Sequence, residues 1–72
     1  MNVEWARIHT TLLSLMRQLE LSWPVMRRIL DKVNALIETP EAAIEMTKRL
    51  VSILQSCKTE EEVILKLDEV GL

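Results

Sequence analysis

Residues 19–26 read Leu19-Glu20-Leu21-Ser22-Trp23-Pro24-Val25-Met26, and whether Pro24 bends one long helix here or separates two decides the fold. A proline removes a helical N–H, and its ring crowds the carbonyl four residues back, here that of Glu20. It also pushes the preceding residue, Trp23, away from helical geometry. Against this stands a shared phase. Trp5, Ile8, Leu12, Leu15, Leu19, Ser22, Met26, Ile29, Val33 and Leu36 succeed one another by alternating threes and fours, the spacing of a coiled-coil seam. Two separate helices match phase by chance often enough that the missing donor outweighs the match. The stretch therefore predicts a break, with Ser22 as helix cap and Pro24 in the first turn of a second helix. One helix kinked at Pro24 is the alternative.

Working outward, the first helix runs from about Asn2 or Val3 to Leu21, with Met16 widening its apolar stripe. The second carries Met26, Ile29, Val33 and Leu36, with Val25, Leu30 and Ile37 beside them. Its end is marked by Glu38-Thr39-Pro40-Glu41, which offers a capping Thr39, a proline at the first helical position and an acid beside the positive helix end. A third helix then turns Ala43, Met46, Leu50, Ile53, Leu54 and Cys57 inward. Thr59-Glu60-Glu61-Glu62 is a capping-box pattern opening a short fourth helix, lined by Val63, Leu67 and Val70, with Ile64 widening the face. Gly71 and Leu72 supply a terminal cap. The fold class expected is all-α: a single domain over residues 1–72, a small four-helix bundle with helices near 3–21, 23–38, 40–57 and 60–70. Connections this short force neighbouring helices to pack on each other. Arg27 with Asp31, Glu45 with Arg49 and Glu62 with Lys66 are spaced four apart, as solvent-face pairs.

The composition agrees with a folded chain. Of 72 residues, 49% are hydrophobic and 28% charged, while one Gly and two Pro leave few helix-breaking points. A chain of this size buries only roughly 60% of the surface its unfolded form exposes, so its stability is marginal and usually needs a disulfide, a metal, a partner or excellent packing. The lone Cys57 excludes an internal disulfide. His9 and Cys57 each lack companions at zinc-ligand spacing, so no metal site is expected. The opening segment is interrupted by Glu4, Arg7 and His9, unlike the apolar core of a signal peptide, and no run approaches a membrane span. The expectation is a cytoplasmic protein without a membrane role.

Catalysis has little support. A nucleophile needs a base and a group to orient that base, and one histidine cannot fill these roles. Cys57 would lie near a helix C-terminus, whose partial negative charge disfavours a thiolate. Without a Gly-rich loop to cradle a phosphate, no enzyme activity and no cofactor are expected. For nucleic acid, the second and third helices with their tight link invite comparison with helix-turn-helix. Glu41 and Glu45, however, occupy the end that would face the duplex, and the net charge is −2. Only Arg17, Arg27, Arg28 and Lys32 offer a basic patch, which makes a nucleic-acid-binding regulator the alternative function. The first expectation is a helical protein-interaction module, a regulator, adaptor or inhibitor that self-associates as a homo-oligomer. The residues expected at its partner interface are the apolar ones standing off the seam: Leu13, Leu21, Trp23, Val25, Leu30 and Ile37. A second buried face of central helices is the equal alternative for Leu13, Leu21, Val25, Leu30 and Ile37.

Overall fold

A computed structural model describes residues 3–72 as four helices and their connections. Helix α1 spans Val3–Gln18, α2 Trp23–Asn34, α3 Pro40–Gln55 and α4 Glu60–Glu69. Asn2, the alternative start of the first helix, lies outside the described residues. The chain breaks at Pro24. Leu21 N–H reaches back to the Met16 carbonyl (3.2 Å) and Glu20 N–H to that of Arg17 (3.0 Å), while Glu20 takes a left-handed φ of 52°. This is a Schellman ending, and the two residues whose apolar contact usually accompanies it, Leu21 and Met16, both belong to the core. The sequence has Glu where such endings favour Gly, so α1 stops three residues before the expected Leu21 despite a conformational cost.

The same device closes α4. Leu72 N–H bonds the Leu67 carbonyl at 2.7 Å and Gly71 N–H that of Asp68 at 3.2 Å, with Gly71 at φ 78°. Here the sequence supplies the glycine, as expected. Helix α2 ends at Asn34 rather than 38, because Leu36, Ile37 and Thr39 N–H groups bond carbonyls three residues back, tightening 35–38 into successive turns. Trp23 is the first residue of α2, so the proline does not expel it from the helix.

The three expected caps differ in chemistry. Thr59 Oγ1 accepts from Glu62 N–H (3.2 Å), as a capping residue should. Thr39 and Ser22 hold the cap positions without a hydrogen bond from their side chains to their own helix. Ser22 instead donates outward: its N–H to Glu60 Oε2 (3.2 Å) and its Oγ to Glu60 Oε1 (2.7 Å). Glu60, in the first turn of α4, thereby joins the starts of two helices.

That contact also fixes the topology. The starts of α2 and α4 lie together, and Arg28 of α2 donates to Asp68 Oδ1 of α4 at 2.6 Å. At the opposite end, Lys48 of α3 meets Glu4 of α1 at 3.1 Å. The helices thus alternate in direction, and α3 packs against all three others, most extensively against α1. Leu12 and Met16 from α1, Val25, Ile29 and Val33 from α2, Leu50, Val51 and Leu54 from α3, and Val63 and Leu67 from α4 form the core, completed by Leu21 and Cys57 from connections. Thr47, wholly buried on α3, satisfies its hydroxyl on the Ala43 carbonyl (2.8 Å).

The inward face of α2 is therefore Val25–Ile29–Val33, one row over from the expected Met26–Ile29–Val33–Leu36, and Met26 and Leu36 are only half-buried. Met46 and Ile53 of α3 are likewise half-buried, and Val70, expected inside, is exposed beyond the end of α4. The folded chain exposes 4937 Å². Its unfolded form would expose about 12,000 Å², so the burial of roughly 60% matches the size expectation.

Candidate interaction surface

The six apolar residues expected at an interface do not form one patch. Leu21 and Val25 are 6% and 8% exposed, inside the core. Leu30 is half-buried against it. These three are surplus only to a single stripe; a helix packed between neighbours buries a broader face. Leu13, Trp23 and Ile37 do reach solvent, the latter two each at 62%, but at separate places. Leu13 lies on the outer face of α1 with Thr10, Ser14, Arg17 and Gln18, whereas Trp23 and Ile37 stand at opposite ends of the α2 cylinder.

Leu13 lines a depression with those polar neighbours, whereas Ile37 belongs to one lined by apolar residues alone. With Trp5, Pro40, Ala43 and Ile44 it lines an apolar cleft of about 240 Å³ between α1, the start of α3 and the α2–α3 connection. Each wall has a local cause. Pro40 is held at the first position of α3 by the turn preceding it. Ala43 is small enough to leave a floor, and Ile44 is buried beside it. The Trp5 indole is stacked on the His9 imidazole one turn along α1, with ring centres 5.2 Å apart and planes at 27°. His9 Nδ1 is buried without a hydrogen-bond partner, so this ring acts here as a packing surface.

A second depression adjoins the cleft, sharing Ile44 and bordered by Glu4, Glu41, Glu45 and Lys48. Lys48 Nζ sits 3.1 Å from Glu4 Oε1 and 3.8 Å from Glu45 Oε1. The hydrogen bond to Glu4, then the charges of Glu4 and Glu45, hold the ammonium above its ordinary pKa, with a small opposing effect of desolvation. Glu41 lies in the first turn of α3, where the helix dipole favours an acid. Glu45 pairs with Lys48 rather than with the expected Arg49, and no ion pair joins Glu62 to Lys66 among the described residues.

The basic residues of α1 and α2 differ in their engagement. Arg28 is committed to Asp68 and, through Nε, to the Leu72 carbonyl (3.3 Å), placing a cation at the negative end of α4. Arg27 faces Asp31 at 3.9 Å, Lys32 is half-buried, and Arg17 belongs to the far end of α1. Among the described residues, no three His, Cys, Asp or Glu side chains gather to hold a metal, and no helix is long and apolar enough to cross a membrane.

Sequence reasoning places Trp5 on the seam of α1 and does not connect it to Ile37. The packing of α1 on α3 brings them together, and nothing local in either segment signals it. Compared with family models, curated proteins and solved structures, the chain finds no match in any of the three.

Proposed function

We propose that this chain is a protein-interaction module whose working surface is the Trp5–Ile37 cleft. The observation that carries the proposal is an open apolar cleft whose aromatic wall is held in place by the Trp5–His9 stack. Tryptophan in a desolvated pocket is the residue type most often dominant in binding energy, and a charged surround excludes water while selecting the partner. The cleft's volume of about 240 Å³ is enough for one bulky apolar side chain presented by another protein. Such a module works by occupancy: it covers part of its partner, as a regulator, adaptor or inhibitor does, in a cytoplasmic setting that suits a single buried thiol.

We take the partner to be a different chain, in place of the self-association expected from the sequence, because a second copy would bring its own acidic border toward Glu41 and Glu45. A melting temperature constant over a hundredfold range of concentration agrees with this reading, and one that rises with concentration restores self-association.

The test compares proteins retained from host lysate by the wild type, by Ile37→Asp and by Leu65→Asp, a control at an exposed position on α4 outside the cleft. Both variants should keep the wild-type circular dichroism. A protein held by wild type and Leu65→Asp and lost at least tenfold from Ile37→Asp supports the assignment; equal retention by all three refutes it.

A further inference from the structure

The border of the cleft goes further than its apolar floor, because it is unevenly charged. Three carboxylates, Glu4, Glu41 and Glu45, stand around one ammonium, Lys48. Lys48 is shared between Glu4 and Glu45, and Glu41 has no ion pair among the described residues. With Lys48 set against Glu4, Glu41 and Glu45 remain on the α3 side of this border; the positive end of α3 offsets about half a charge, which leaves that side negative by roughly one and a half charges. Glu38, exposed next to Ile37 in the chain, adds another carboxylate on the connection side.

Resting on the interaction module proposed above, we infer that the cleft receives an apolar side chain carried by a basic amphipathic helix of a partner protein. Glu41 and Glu45 are one turn apart on α3, about 6 Å along its axis. A partner helix with Lys or Arg four residues apart, flanking a Leu, Met or Phe, presents the matching pattern: the apolar residue enters between Trp5 and Ile37, and the cations face the two carboxylates. An acidic partner meets repulsion at the same place. The border therefore acts as the specificity element and the cleft as the affinity element.

Three synthetic amphipathic helices with one apolar face and Lys, Gln or Glu on the flanks test this directly. In a Trp23→Phe background Trp5 is the sole tryptophan, and its emission reports on the cleft. The Lys peptide should shift Trp5 emission saturably and bind more tightly than the Gln peptide, with the Glu peptide weakest. Glu41→Gln with Glu45→Gln should weaken the Lys peptide about fivefold, the scale of two exposed ion pairs, and erase most of its lead over Gln. Raising salt should narrow the same gap. Ile37→Asp should abolish the signal for all three. Equal midpoints for the Lys and Glu peptides at Trp5 would overturn the inference while leaving the cleft as an interaction site. Binding of the Lys peptide that is indifferent to Ile37→Asp, or no binding by any peptide up to millimolar concentration, would overturn it too. The lysate comparison then decides separately whether the cleft engages another class of partner.

Discussion

Glu20 is the position where a single substitution tells a broken chain from a kinked one. It holds φ 52° at the end of α1, a conformation costing an L-residue roughly 1–2 kcal/mol. Glycine relieves that strain, but its greater freedom in the unfolded chain returns about 0.4–1 kcal/mol. Glu20→Gly should therefore be more stable than Glu20→Ala by about 0.7 kcal/mol. Both variants also remove a carboxylate from the negative end of α1, worth a further few tenths of a kcal/mol against wild type. With an unfolding entropy of about 2.1 cal/mol/K per residue, 72 residues give about 150 cal/mol/K. The Gly variant should then melt about 4–5 °C above the Ala variant and about 6 °C above wild type. If residue 20 instead lay within a continuous helix bent at Pro24, the sign would reverse, since Gly inside a helix is less stable than Ala by roughly 0.5–1 kcal/mol. Thermal melts monitored by far-ultraviolet circular dichroism, repeated in urea to check that the slope is unchanged, measure the difference. A Gly variant melting at or below the Ala variant would refute the left-handed ending of α1.

Other expectations concern the core and the two ends of the bundle. Leu50→Asp places an uncompensated charge at a position with 0% exposure, a loss of about 4–5 kcal/mol or more, comparable to the whole stability of a small domain; a cooperative melt close to that of wild type would contradict the core assignment. Ser22→Ala and Glu60→Gln each remove part of the bond between the starts of α2 and α4. Each should cost about 1 kcal/mol, and their double-mutant cycle in urea should show coupling of at least about 0.5 kcal/mol; strict additivity would mean that the contact is not made in solution. Lys48 has its pKa raised above 10.5 by Glu4 and Glu45, so its contribution to stability is complete below that pH and fades as pH climbs through the higher folded value. Lys48→Met should thus lower the melting temperature at pH 7 to 9 and lose that deficit as the pH climbs past the raised pKa, and a deficit independent of pH would contradict the ion pair.

The parts of this fold legible in the sequence are those governed by a few neighbouring residues. Pro24, Thr39-Pro40 and Thr59 mark the starts of α2, α3 and α4, and Gly71 marks the last turn, because missing donors, fixed φ angles and caps act within one helical turn. The inward rows of α1, α2 and α3 are legible only to within one residue, since a helix with apolar residues on two adjoining rows has the same periodicity whether both are buried or one is free. Burial of Leu21 and Val25 is decided by tertiary packing, since both join a core to which all four helices contribute. Ion pairs divide in the same way: the spacing of four finds Arg27–Asp31, while the contacts that tie elements together, Glu4–Lys48, Ser22–Glu60 and Arg28–Asp68, cross more than thirty positions of sequence.

The cleft arises at the point where periodicity stops predicting structure. Had α2 continued to residue 38, Ile37 would have remained one more position on its helical surface. The successive three-residue turns over 35–38 end the helix early and place Ile37 beside Pro40, in one cleft with a Trp5 that the packing of α1 on α3 brings to the same end. Closing this turn exposes an isoleucine at 62%, which forgoes much of the roughly 1.5–3 kcal/mol that burying such a side chain yields. In a chain whose small size leaves its stability marginal, that contribution is forgone at a residue that lines the proposed interaction cleft, and cover by the proposed partner is what would recover it.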